Sequence, residues 1–285
     1  YVSLTPSRGG NFSLSFLAIK TAFVKDDNLN NSPTFERFAK NRLIIRDRLN
    51  SLNTQGEYGL NSQDVLIPAF ISAYSDSDPS NFSLKPFPKI PIPNWRIDFS
   101  GLSKIKSLSE IFSSITISHG YQSIYSVGEF SNSLLYIDNL DFNNSIMNYP
   151  LASQQTENGF VPFYIINQVR ITERFSPLIG INVRTKNNLN ARIDYKKDRN
   201  IMLNLSNAQV SEMINSDFSI DFGYSKEKLR LPFKYMGNTI ILDNEIEFRL
   251  NFVIRNTKAV QRKIDKESTV TNGNYNFQLR PNINY

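Results

Sequence analysis

The chain contains no cysteine among its 285 residues. That excludes disulfide scaffolds, thiolate metal sites and cysteine nucleophiles. A single histidine, His119, excludes any multi-histidine metal site. His119 sits in Ser118-His119-Gly120-Tyr121, and no nucleophile or orienting acid accompanies it at a useful spacing. Gly9-Gly10 and Gly180 lie in no phosphate-loop pattern, and the acidic residues form no metal loop. An enzyme is therefore not expected, and neither is a cofactor. Long apolar runs are also missing. The longest, such as 160–166, stop near seven residues, whereas a membrane helix needs about 20. A helical membrane protein is excluded, but a membrane β-barrel is not, because its strands need an apolar residue only at every second position. Lys plus Arg total 32 against 26 for Asp plus Glu, a net charge of +6, too small an excess to mark a nucleic-acid protein.

What is present is alternation, the two-residue period of a strand. Over 161–175 the odd positions hold Val161, Phe163, Ile165, Val169, Ile171 and Phe175, with Asn167 and Glu173 as interruptions. The even positions hold Tyr164, Gln168, Arg170, Thr172 and Arg174, with Ile166 as the exception. The period returns at 179–184, 189–196, 201–206, 217–224, 228–235, 245–255 and 275–280. It is weaker at 12–24, 95–101, 111–119 and 122–128. Asn187-Asn188, Gly237-Asn238 and Asn272-Gly273 supply hairpin turns, since Asn and Gly tolerate positive φ. Strand and turn following one another without helices predict an antiparallel meander. Segments of about nine to eleven residues suit a tilted membrane strand.

Two regions break the rhythm. Residues 32–52 predict a helix, with Ser32 as N-cap and Pro33 in the first helical position. Phe35, Phe38, Ile45, Leu49 and Leu52 form its apolar stripe, and Arg37, Lys40, Arg46 and Arg48 occupy its other faces. Such a basic helix suits packing on a loop or partner with its charges in water, or contact with anionic lipid or nucleic acid. Residues 75–95 predict a loop, Ser/Asp-rich at first and then extended through Pro86, Pro88, Pro91 and Pro93.

A soluble β-sandwich or lipocalin-like barrel also alternates. Full-length apolar rows of Phe, Tyr, Ile and Leu, large charged residues on the other face and hairpins in sequence favour a transmembrane barrel. A meander satisfies every backbone group in lipid only by closing on itself. The fold class expected is therefore all-β: residues 1–285 as one segment of a very large antiparallel transmembrane β-barrel, with a helical insertion and a Pro-rich loop. Arg170, Arg174, Arg184, Arg192, Lys196, Glu245, Glu247, Arg249 and Arg255 would line the pore, with Asp194 and Asp221 among them. Phe163, Ile165, Ile193, Phe218, Phe222, Phe248, Leu250 and Phe252 would face lipid. The chain opens at Tyr1 and stops inside a strand-like stretch, 275–285, so it is expected to be a piece of a longer polypeptide.

Several stretches resemble a known family as a set. The most specific is Ile90-Pro91-Ile92-Pro93-Asn94-Trp95-Arg96-Ile97-Asp98-Phe99-Ser100-Gly101-Leu102-Ser103. Others are Phe35-Glu36-Arg37-Phe38 with Asn41-Arg42, and Tyr125-Ser126-Val127-Gly128-Glu129-Phe130. Ile171-Thr172-Glu173-Arg174-Phe175-Ser176-Pro177-Leu178-Ile179-Gly180-Ile181 and Asp194-Tyr195-Lys196-Lys197-Asp198-Arg199, leading into Leu203-Asn204-Leu205-Ser206-Asn207, complete the set. From about residue 33 onward the chain resembles a late portion of the SprA/Sov family, the outer-membrane translocon of the type IX secretion system, also tied to gliding motility. The resemblance implies a non-enzymatic channel for folded cargo bearing a C-terminal secretion domain. It implies a barrel on the scale of the largest known, about 36 strands, a count that the periodicity does not supply. The implied partners are the remainder of the barrel, a cargo-collecting barrel protein of the PorV type, a plug protein and outer-membrane lipid. The rival readings are a porin or uptake barrel for small solutes and a surface β-sandwich adhesin.

Overall fold

The computed structural model describes residues 9–52, 57–133, 155–156, 159–235, 238–242 and 244–284. Its strands are β1 (Gly9–Ser15), β2 (Trp95–Phe99), β3 (Phe112–Asn132), β4 (Gln155–Thr156), β5 (Gly159–Phe160), β6 (Tyr164–Ile165), β7 (Gln168–Thr185), β8 (Leu189–Asn204), β9 (Gln209–Lys226), β10 (Leu229–Tyr235), β11 (Asn238–Leu242), β12 (Ile246–Lys263) and β13 (Thr269–Asn284). One sheet runs β1-β3-β7-β8-β9-β12-β13, with β2 and β6 also paired to β3. All of its pairings are antiparallel. The fold is all-β, as expected, with few helices. The sheet does not close: among the described residues β13 pairs with β12 alone.

The strands are longer than the alternation suggested. The segments 161–175 and 179–184 were expected as separate strands, yet β7 runs unbroken through 18 residues. Its register shifts against β8 between Phe175 and Ile179, around Pro177, which has no N–H to give to a ladder. Likewise 189–196 and 201–206 are one strand, β8, of 16 residues. The β9 and β12 strands form a hairpin whose far end is the smaller β10–β11 ladder. The turn expected at Gly237-Asn238 lies partly outside the described residues.

The expected helix is α1, Pro33–Leu52. Ser32 Oγ accepts the Phe35 N–H at 3.4 Å. Phe35, Phe38, Ile45 and Leu49 are buried, whereas Leu52 is exposed. A second helix, α2 (Gln63–Tyr74), was not expected. All ten residues from Val65 to Tyr74 are buried. It packs on α1 through Phe38 and Phe70, whose ring centroids lie 6.1 Å apart, and through Asn41 Nδ2, which donates to Ser72 Oγ at 2.9 Å. Residues 75–94 form no helix or strand, as expected, and Trp95 opens β2. The Pro-rich part of this loop is fastened to the sheet. Tyr125 Oη donates to the Pro86 carbonyl at 2.9 Å, and the Ser123 N–H donates to Asn94 Oδ1 at 2.8 Å. A single-turn helix, α3 (Lys106–Ser109), precedes β3.

Helices and loop together cover one end of one sheet face. Val65, Leu66 and Phe70 of α2 share a continuous buried core with Tyr125, Val127, Val169, Ile171, Ile201, Leu203 and Val210 of the strands. Burying side chains of this size stabilises by roughly 1.5–3 kcal/mol each.

Candidate functional site

Directly paired residues of adjacent strands point to the same face, so the register assigns every side chain. One row crosses seven strands: Phe99, Ile117, Ile181, Ile193, Ile220, Phe252 and Leu279. The next holds Ile115, Val183, Ala191, Phe222, Leu250 and Pro281. Another holds Ile179, Tyr195, Phe218, Ile254 and Phe277. These rows lie beyond the end of the helical cap, and much of them is open. Ile179 is 56% exposed, Phe222 40%, Leu250 41% and Leu279 55%. This is an apolar area far larger than the scattered exposed hydrophobics of an ordinary soluble surface.

The opposite face is polar over the same length. Asn182, Arg192, Asp221, Asn251 and Arg280 form one row. Arg184, Asn190, Gly223, Arg249 and Asn282 form the next. Short ion pairs lace it. Arg255 Nε lies 2.8 Å from Asp217 Oδ1, Arg192 Nε 2.7 Å from Asp194 Oδ2, and Arg249 Nε 2.7 Å from Glu247 Oε1. Arg174 Nε meets Asp198 Oδ1 at 3.1 Å, and Asn251 Nδ2 donates to Asp221 Oδ1.

The sequence-predicted residues fall as follows. Arg170, Arg174, Arg184, Arg192, Lys196, Glu247, Arg249 and Arg255 all belong to the polar face by register. Glu245 precedes β12 and is outside the ladder. Ile193, Phe218, Phe222, Phe248, Leu250 and Phe252 share the apolar face. Ile165 is exposed but does not lie in those rows. It pairs with Ser131, while its neighbour Tyr164 packs on Phe87 and Phe130 under the covered side. Phe163 stands outside any strand, with its ring 4.6 Å from that of Tyr164. The cause is a break at Ile166-Asn167, where the chain leaves the ladder and Ile166 is buried. A one-residue change of phase sends every preceding side chain to the other face.

Between cap and open rows lies a feature the sequence reading missed, a buried ionic row on the otherwise apolar face. Arg199 Nε lies 2.5 Å from Glu212 Oε1, and its Nη1 lies 3.8 Å from Glu173 Oε2. Arg262 joins Glu212 Oε2 at 2.8 Å to Asp26 Oδ2 at 2.6 Å. Tyr121 Oη donates to Glu173 Oε1 at 2.7 Å and accepts the Ala18 N–H at 3.0 Å. Arg199 also donates to Thr21 Oγ1 at 3.0 Å and stands 5.4 Å over the Tyr74 ring. Burial, with the Glu212 charge nearby, pushes the Tyr74 phenol above its ordinary range. Signs alternate across four strands, which is how charges out of water are tolerated. The signal was in the sequence. Glu173, Arg199, Glu212 and Arg262 occupy the phase of their strands that elsewhere carries Val, Ile and Leu.

No protein-family model matches the chain, and no curated protein matches it. Among the described residues no helix is long and apolar enough to cross a membrane, and no cluster of three or more His, Asp or Glu is placed to hold a metal.

Proposed function

We propose that this chain is a section of the wall of a non-enzymatic, protein-conducting outer-membrane barrel, of the kind that exports folded cargo in type IX secretion and is linked to gliding motility. The observation that carries the reading is the two-faced sheet. Apolar rows cross up to seven strands in the open, and the same residues' neighbours form an ion-paired polar wall behind them. In hydrocarbon the first face needs no cover, and in a water-filled passage the second needs none. A sandwich adhesin would need a second sheet over the apolar rows, and none lies over them among the described residues. The unpaired edge of β13 suits a barrel completed by further strands of the same polypeptide.

The resemblance to the SprA/Sov family narrows the reading from barrel to translocon. It brings with it a PorV-type cargo-collecting partner, a plug protein and cargo with a C-terminal secretion domain. The polar wall fits such passage, since its arginines are mostly neutralised by neighbouring carboxylates and present a mixed surface without a strong field.

The test is reconstitution of the intact polypeptide in planar bilayers, with conductance measured as polymers of increasing size are added. Passage of polymers as large as a folded domain supports the translocon. Exclusion of everything beyond small solutes overturns it in favour of a porin. Recovery of the intact polypeptide from the soluble fraction without detergent overturns the barrel itself.

A further inference from the structure

Residues 16–31 cross the sheet as a strap, on the apolar side, at the line where the cap ends and the open rows begin. Four strands hold it. The Ala18 N–H meets Tyr121 of β3. Phe23 packs on Phe175 of β7 with ring centroids 5.2 Å apart. The Ala22 carbonyl accepts Lys197 Nζ of β8 at 2.5 Å. Asp26 pairs with Arg262 of β12 at 2.6 Å and with Lys258 at 3.7 Å. On the same face, Tyr195 follows Lys197 along β8 into the open rows. The strap therefore borders the apolar band on its cap side.

Its outward side combines grease and positive charge. Phe23 is 50% exposed, Val24 44% and Leu29 74%. Lys20 and Lys25 stand beside them, both exposed; Lys20 Nζ lies 4.0 Å from Asp76, whose carboxylate also pairs with Arg37. The strap's two acids are turned inward or engaged locally. Asp26 is in the ion pairs above, and Asp27 accepts the N–H groups of Leu29 and Asn31, both at 2.8 Å. The backbone is pinned, so Phe23 and Val24 are held out by a fixed frame. Nearby, Trp95 stacks on Tyr121 at 4.5 Å. Aromatic rings with an apolar body and a polar rim favour the zone between hydrocarbon and water.

We infer that the strap is an interfacial lipid anchor: Phe23 and Val24 enter the outer few ångströms of one leaflet, and Lys20 and Lys25 take phospholipid phosphate groups. This rests on reading the open apolar rows as lipid-facing, and it adds what the rows alone do not give. It fixes the level of the membrane surface along the strands, just beyond Lys197 and Lys258. It also puts the α1–α2 cap outside the barrel wall, lying over the headgroups, because cap and apolar rows share one face. Phospholipid suits this place because the strap is continuous with the lipid-facing band and its available charges are cationic.

The test labels single sites of the intact polypeptide, folded into phospholipid vesicles, with an environment-sensitive fluorophore. The sites are Val24→Cys on the strap, Leu250→Cys in the open rows and Ser219→Cys on the polar face. Quenchers are carried by lipids labelled near the headgroup or deep in the acyl chain, with iodide as the aqueous quencher. The expected result is loss of Val24-site emission with the headgroup-level label, loss of Leu250-site emission with the deep label, and no lipid quenching at Ser219. Quenching at Leu250 with Val24 reached only by iodide, or by neither quencher because a protein covers it, overturns the anchor and leaves the barrel standing. Absence of lipid quenching at Leu250 overturns both. Lys20→Glu combined with Lys25→Glu should weaken headgroup-level quenching at Val24 in anionic vesicles while leaving the Leu250 site unchanged. An unchanged Val24 signal overturns the role given to the lysines.

Discussion

Replacing Leu250 by Arg separates a lipid-facing sheet from a soluble one by the size of the effect. On β12 the apolar side runs from Ile246 through Phe248, Leu250 and Phe252 to Ile254, and Asn256 ends it. At about 3.3 Å per residue that stretch is roughly 26 Å long. Tilted by about 40°, it covers roughly 20 Å of membrane depth, close to the ~25 Å apolar band of outer-membrane barrels. Leu250 is at its centre. In lipid, Arg there should cost about 2–4 kcal/mol. In water, a residue that is 41% exposed is a surface position, and the same substitution should stay within about 0.5 kcal/mol. Asn251→Ala, one residue away on the polar face, should cost roughly 1 kcal/mol or less in either setting. The assay is denaturant-driven unfolding of the intact polypeptide from vesicles, comparing midpoints and slopes among the three proteins. Equal costs at 250 and 251 would refute the assignment of faces, whatever else the protein does.

Arg262→Met should cost about 3–5 kcal/mol, because it strips the buried Glu212 and the strap's Asp26 of their shared partner; faster protease cleavage within 16–31 than in the parent protein is the expected readout. Phe70→Ala removes a fully buried ring that packs on Phe38 and Tyr74, and a loss of about 3–5 kcal/mol should appear as cap unfolding in hydrogen exchange. Burial pushes the Asp64 carboxyl up to about 6. Between an unfolded value near 4 and that folded value, the unfolded chain sheds the proton first, so cap stability should fall as the pH rises from about 4 to 6. Asp64→Asn should abolish that slope, and an unchanged pH profile would remove the carboxyl from the account.

The sequence made the strand phase plain wherever a ladder is unbroken, because Phe/Ile/Leu alternate with polar residues without exception across 246–252 and 217–222. The α1 helix was legible for the same kind of reason, with one stripe, a serine cap and a proline start. The α2 helix was not. Its residues 65–74 are apolar on every side, so they carry no period, and Pro68 reads as a breaker; a helix buried all round leaves no amphipathic trace. Strand ends were lost where bulges intervene, at Phe175–Ile179 and at Ile166-Asn167. At Phe175–Ile179 the register slips by two residues, which keeps the faces; at Ile166-Asn167 the chain leaves the ladder and the phase changes, and residue type alone records neither. The ionic row was written as Glu173, Arg199, Glu212 and Arg262 in the apolar phase. It becomes intelligible only when four strands are laid side by side.

The clasp between Asp26 and Arg262 joins positions 236 residues apart along the chain. Such a bond closes late, after the intervening ribbons have found their neighbours, because bringing distant segments together costs entropy before any contact repays it. Until β12 is seated, Asp26 has neither Arg262 nor Lys258 to pair with and its carboxylate stays in water. The fastening thus exists only when both ends of this series of ribbons are in place.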